Sequence, residues 1–166
     1  MCCKLICMKK LLSLLFVLFV SMSLYAQSAD VISDLLDSKE ATFGQICYLA
    51  AVQQNFINEN DDYEKAVQAL YENNVIPNLE DASAPIPLVD IAYIYSRLWT
   101  VKGGLMYRLT KGSPRYAFRQ FQADGVISAK SEPADIVSGA KALSVFTACI
   151  NKYSGFDMKA VSMESE

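Results

Sequence analysis

Two stretches of the chain carry nearly the same pattern of apolar and polar positions. Residues 65–76 read KAVQALYENNVI and residues 116–127 read YAFRQFQADGVI, 51 positions apart. The match runs on without a gap. IPLVDIAYIYSRLW at 86–99 falls on VSGAKALSVFTACI at 137–150, so that Ile86 meets Val137, Ile94 meets Val145 and Tyr95 meets Phe146. A fainter copy lies upstream, where TFGQICYLAAV at 42–52 overlies PLVDIAYIYSR at 87–97. A recurring supersecondary unit accounts for such self-similarity.

Each unit reads as helix, loop, helix. Ala66, Val67, Ala69 and Leu70 have the i, i+3, i+4 spacing of one buried helix face, with charged residues between them. Asp61 and Asp62 offer a cap and negative charge at that helix's start. The matching helix opens SPRYAF, with Ser113 to cap and Pro114 at the first helical position. Asn74 and Gly125 then occupy the same aligned place, and both tolerate the left-handed backbone of a helix end. Val75-Ile76 and Val126-Ile127 are expected to fold back as apolar plugs. The second helices, Phe43–Val52, Leu88–Trp99 and Ala140–Ile150, are apolar on nearly every side and should be buried on several. Thr42 and Gln45 have capping-box spacing. Residues 30–37 predict a short first outer helix. Pro77, Pro85 and Pro87 predict an irregular surface loop over 77–87, and 100–112 predicts a helical turn or small hairpin packed on the core. The expected fold is therefore all-α, about three helix-loop-helix units in one compact domain.

The run AVQALYENNVI, followed after a loop by PIPLVDIAYIYSRLW, resembles the S-layer homology repeat. That family's unit is a helix ending in a Gly-Ile-like pair, a loop, and a second helix starting Thr-Arg-Ala-Glu. The resemblance covers about residues 30–150. It implies three units in one domain that fastens exported proteins to cell-wall polysaccharide. At the family's Thr-Arg-Ala-Glu start this chain has Thr42-Phe43-Gly44-Gln45, Pro87-Leu88-Val89-Asp90 and Ser138-Gly139-Ala140-Lys141. The family's arginine is absent from all three, and its Gly-Tyr-x-Asp-Gly loop is missing.

The amino terminus supports export. Lys9 and Lys10 precede an apolar stretch from Leu11 to Val20, and Ser-Leu-Tyr-Ala ends at Ala26, the layout of a cleaved signal peptide. The apolar part is short for a membrane span of ~20 residues; an uncleaved anchor is the alternative, and Met8 is an alternative start. The expected organisation is a signal peptide at 1–26, a helical domain at 27–153 and a flexible tail at 154–166, with no stable membrane span after cleavage. Cys47 is the first cysteine beyond the signal and lies too far along for a lipid anchor. The destination is the periplasm or the cell surface. Without Lys4, Lys9 and Lys10, 12 of the 15 basic residues face 18 acidic ones, a net of −6. That balance argues against general nucleic-acid binding, which depends on neutralising phosphates. Cys47 and Cys149 could pair in an oxidising compartment or sit buried as free thiols.

Chemistry-bearing motifs are scarce. The chain has no histidine, which removes Ser-His and Cys-His nucleophile pairs. Two cysteines 102 positions apart lack zinc-site spacing, and neither a nucleophile elbow nor a phosphate loop occurs. No cofactor is implied. The cluster Asn58–Asp62 lacks the central glycine of a calcium loop and suits helix capping better. Asp90, Asp124 and Asp135 are candidate carboxylates for acid–base work, with no spacing that pairs them. One region departs from the acidic background. Arg97, Lys102, Arg108, Lys111, Arg115 and Arg119 occur with no acid between them, interleaved with Trp99, Tyr107, Tyr116 and Phe118. Arginine forks suit carboxylate or phosphate, and aromatic faces suit sugar rings or apolar side chains. The alternative is pairing with the protein's own acids. The expectation is a non-enzymatic envelope interaction module whose partner is a cell-wall polymer or an envelope protein. A structural subunit of a periplasmic or surface assembly is the second reading, and an enzyme the third.

Overall fold

The computed structural model describes residues 26–99 and 101–154. The signal-peptide reading, apart from Ala26, and the tail reading from residue 155 onward lie outside them. Among the described residues there are seven helices and no strand: α1 Ala26–Asp37, α2 Phe43–Gln53, α3 Tyr63–Glu72, α4 Leu88–Leu98, α5 Leu105–Leu109, α6 Pro114–Ala123 and α7 Gly139–Tyr153. The protein is all-α. The outer helix expected over 30–37 begins at Ala26 instead. The chain divides into two units between Asp34 and Leu35, inside α1, and the helices from α2 onward belong to the second.

The two look-alike stretches fold alike. At the end of α3, Asn74 has φ 57°, its N–H donates to the Tyr71 carbonyl at 3.0 Å, and the Val75 N–H donates to the Leu70 carbonyl at 2.9 Å. At the end of α6, Gly125 has φ 76°, its N–H reaches the Gln122 carbonyl at 3.2 Å, and Val126 reaches Phe121 at 2.9 Å. This is the Schellman arrangement, which satisfies carbonyls that a helix end would otherwise leave unpaired. Val75, Ile76, Val126 and Ile127 are all buried behind it. The same device closes two further helices. Asn55 ends α2 at φ 57° and Lys111 ends α5 at φ 53°, with Phe56 bonded to Ala51 and Gly112 to Tyr107.

At their starts, the inner helices α2, α4 and α7 are joined by the loops that precede them. The first N–H groups of a helix have no intrahelical acceptor, and here loop carbonyls supply one. Phe43 and Gly44 donate to Ala84 and Ala82 at 2.9 and 2.8 Å, Leu88 and Val89 to Asp135 and Pro133 at 2.9 and 3.0 Å, and Gly139 to Ser38 at 3.1 Å. Between the loops, the Ile86 N–H reaches the Ala41 carbonyl and the Ala41 N–H reaches the Val137 carbonyl, flanked by isolated bridges Thr42–Pro85 and Pro87–Ile136. The loop over 77–87 is therefore not wholly a surface loop: Ala82 and Ile86 are buried in this hub. Thr42 completes the capping box with Gln45, and Ser138 caps α7 through Lys141. Two glycines allow the close approach. A Cβ on Gly44 would lie 2.7 Å from the Tyr63 Cβ, and one on Gly139 would lie 1.7 Å from the Leu35 carbonyl oxygen.

The core follows from this frame. α2 is buried from Phe43 through Ala51, as its uniform apolarity predicts. α7 buries only the stripe Gly139, Ala142, Val145, Phe146 and Cys149, so its other apolar residues are less enclosed than expected. Tyr95 stands at the centre, its ring 5.7 Å from Trp99 and 5.3 Å from Phe146. Each large side chain buried in this way contributes about 1.5–3 kcal/mol. Cys47 and Cys149 are free and buried, which decides between the two readings of the cysteines; burial pushes both thiols far above their ordinary range.

Candidate functional site

Three helix ends meet beside the stop turn of α3. Arg97 lies in the last turn of α4, where the carbonyl end of the helix favours a cation. Its guanidinium donates to the Asn74 carbonyl at 3.3 Å and sits 5.6 Å from the centre of the Tyr93 ring. One arginine thus ties α4 to the α3 turn and leaves part of its fork exposed.

The segment after α4 brings up the other cations. Tyr107 is the one side chain of α5 that points inward enough to bond the helix beneath, its hydroxyl donating to the Ser96 carbonyl at 3.4 Å. Gly103 and Gly112 pack against its ring so closely that a Cβ on either would stand 2.2 or 3.0 Å from it. The Gly104 N–H is held by the Gln120 side chain at 2.8 Å. With α5 fixed this way, Arg108 and the left-handed Lys111 come to face Arg97 across a cleft of about 360 Å³. Asn73, Asn74, Ser96 and Tyr107 also line it, and no carboxylate does.

The remaining sequence-predicted residues divide. Tyr116 and Arg119 share a second hollow of about 330 Å³ with Leu105, Met106 and Tyr107, on the other flank of α5. Lys102 and Arg115 are exposed and line neither space. Trp99 is buried between Tyr95 and Phe146. It belongs to the core and not to a binding surface, because α4 carries it inward one turn beyond Tyr95. Phe118 is likewise buried. Among the described residues the one ion pair is Lys65–Asp61 at 2.6 Å, so none of the six cations from Arg97 to Arg119 is paired with an acid there.

The candidate carboxylates sit apart. Asp124 accepts from the Tyr153 hydroxyl at 2.6 Å and from Gln120 at 3.0 Å; burial first, and the bond to Asp124 second, push the Tyr153 hydroxyl far above its ordinary range. Asp135 accepts from the Glu132 N–H. Asp90 lines a third hollow of about 500 Å³ with Glu80; burial first, and the Glu80 charge second, raise its carboxyl above the usual range. Asp62 caps α3 through the Lys65 N–H, and Asp61 receives the Asn58 N–H, which is the capping role expected of that cluster. Among the described residues no three acids or cysteines converge as a metal site would require.

The cleft therefore offers two arginine forks, an ammonium, amide side chains and a tyrosine edge. Such a set can hold carboxylate or phosphate groups by charge-assisted hydrogen bonds. Sequence reasoning found the cations through their run without acids; it missed Asn73, Asn74 and Ser96, whose signal as helix-end residues spoke only of structure. Comparisons with protein-family models, with curated proteins and with solved structures return no match.

Proposed function

We propose that this chain is an exported, non-enzymatic interaction module of the cell envelope that binds an anionic wall polymer in the Arg97–Arg108–Lys111 cleft. The observation that carries the reading is the convergence of three cations on a cleft with no carboxylate in its lining, in a chain whose net charge without its leader is −6. Export rests on the basic and apolar pattern of the first 26 residues. The polymer-binding role agrees with the S-layer-type resemblance, with the cleft cations standing in for the arginine missing from the three helix starts.

The test is retention of the purified chain on isolated wall material. Hydrogen bonds to charged groups contribute about 1.5–3 kcal/mol each. Reversing both Arg108→Glu and Lys111→Glu should weaken retention at least a hundredfold, and raised salt should weaken the native chain. Arg115→Glu, outside the cleft, should have a much smaller effect. Equal retention of the Arg108→Glu/Lys111→Glu chain, folded by circular dichroism, would refute the assignment.

A further inference from the structure

The helix that builds the cleft is turned inside out. Leu105, Met106 and Leu109 are 79%, 47% and 73% exposed, whereas the polar-tipped Tyr107 faces inward. A single exposed leucine needs no explanation. Two leucines and a methionine on a five-residue helix, with that helix pinned by Tyr107, Gln120 and two glycine contacts, form a presented apolar face. Of the two forms expected over 100–112, the helical turn is the one that forms; it is held to the helix beneath through Tyr107, but none of its five residues is buried.

The surroundings identify the occupant. Arg119 lines the hollow that Leu105 and Met106 border, Arg115 lies one turn before it on the same side of α6, and Lys102 stands three residues before Leu105 in the chain; all three are exposed, and none is ion-paired among the described residues. Protein interfaces favour aromatic anchors and are depleted in lysine, whereas this outward face, Leu105, Met106 and Leu109, holds no aromatic side chain and has Lys102 close to it in the chain. A shallow apolar wedge ringed by long cationic side chains is instead what an anionic lipid surface takes up, with the apolar residues at the headgroup boundary and the cations at the phosphates. Among the described residues no helix is long and apolar enough to cross a membrane, so such binding would be peripheral and reversible. We propose that the outward face of α5 docks onto an anionic bilayer, Leu105, Met106 and Leu109 entering the headgroup boundary while Lys102, Arg115 and Arg119 contact lipid phosphates. The proposal goes beyond wall-polymer binding and stands on different side chains.

The experiment is co-sedimentation of the full chain, freed of its leader, with vesicles of phosphatidylcholine alone or mixed in equal parts with phosphatidylglycerol. The native chain should bind the anionic vesicles at least tenfold more tightly than the neutral ones. Leu105→Ser/Leu109→Ser should lower that binding at least tenfold, since each buried leucine accounts for about that factor. Lys102→Glu/Arg115→Glu/Arg119→Glu should lower it by a similar factor or more, at about fivefold per cation. Both variants change exposed residues and should keep the native circular dichroism spectrum. The serine variant should keep its retention on wall material, which separates this proposal from the cleft. Failure of the native chain to bind anionic vesicles, or undiminished binding by the serine variant, would overturn it. So would a concentration-dependent dimer of the native chain, abolished by the serine variant, in the absence of vesicle binding.

Discussion

Gly139→Ala probes the loop hub at its tightest point. An ideal Cβ at Gly139 lies 1.7 Å from the Leu35 carbonyl oxygen and 2.4 Å from the Ser38 Oγ, against 3.4 Å or more for ordinary contact. The oxygen cannot swing aside freely, because it also accepts the Ser38 N–H at 3.2 Å and the Ser38 hydroxyl at 2.7 Å, and Leu35 is itself buried. Relief requires α7 to withdraw from the end of α1, which breaks the Gly139 N–H bond to Ser38 at 3.1 Å. Overpacking of this kind costs about 1–3 kcal/mol and the lost bond about 0.5–1.5 kcal/mol. Alanine's better helix propensity returns up to about 1 kcal/mol. The net loss lies between about 0.5 and 4.5 kcal/mol with its centre near about 2.5 kcal/mol, read as a shifted denaturant midpoint by circular dichroism and, at the centre, as a fall of roughly 5–10 °C in Tm. Gly104→Ala is the control. Its Cβ would meet only the Gln120 Oε1, at 3.7 Å, and its φ of −64° suits any residue, so its change should stay within about 0.5 kcal/mol. A Gly139→Ala chain as stable as the native one, or a Gly104→Ala chain equally damaged, would refute the hub geometry.

Three further outcomes follow from the core and the helix ends. The Tyr95 hydroxyl is buried and has no hydrogen-bond partner among the described residues; Tyr95→Phe should leave stability unchanged or raise it by about 1 kcal/mol, measured by urea unfolding. Cys47 and Cys149, raised by burial from an ordinary 9.0, stay protonated in the folded chain while the unfolded chain ionises. Their contribution is full below pH 9 and is lost as pH rises, by about 1.4 kcal/mol for each thiol at pH 10; a Cys47→Ala/Cys149→Ala chain should show a flatter alkaline profile, and an unchanged slope would contradict the thiols' burial. Gly125→Ala, with open space around its Cβ but φ at +76°, should lose about 1 kcal/mol from left-handed strain alone, whereas Asn74→Gly should be neutral or slightly stabilising by the same unfolding measurement.

Much of the helical framework was legible because its signals are local. Asn74 and Gly125 declare a left-handed stop, Thr42 and Gln45 declare a capping box, and the 51-residue offset relates two stretches that end in the same turn. Asn55 carried the same stop signal in Asn-Phe-Ile and was legible in principle, as a third copy of the stop seen in Asn74-Val75-Ile76 and Gly125-Val126-Ile127. What the sequence could not reveal depends on three-dimensional enclosure. The pattern over 100–112 left a helical turn and a hairpin both open and did not say which side faces out, and the fixing of Tyr107 by Gly103, Gly112 and Ser96 decides that. Trp99 read as part of an aromatic-cationic surface, yet helical rotation from Tyr95 takes it into the core. The cleft itself was half legible. The acid-free run named Arg97, Arg108 and Lys111, while Asn73, Asn74 and Ser96 joined them through the packing of helix ends that no pattern records.

Amide chemical-shift mapping of the chain without residues 1–26, titrated with purified anionic wall polymer, tests the central claim most directly. Shifts should concentrate on Asn74, Arg97, Arg108, Lys111 and Gly112, saturate together, and vanish in Arg108→Glu/Lys111→Glu. Shifts centred on another face, or saturable binding that leaves these five amides unmoved, would contradict the assignment of the cleft.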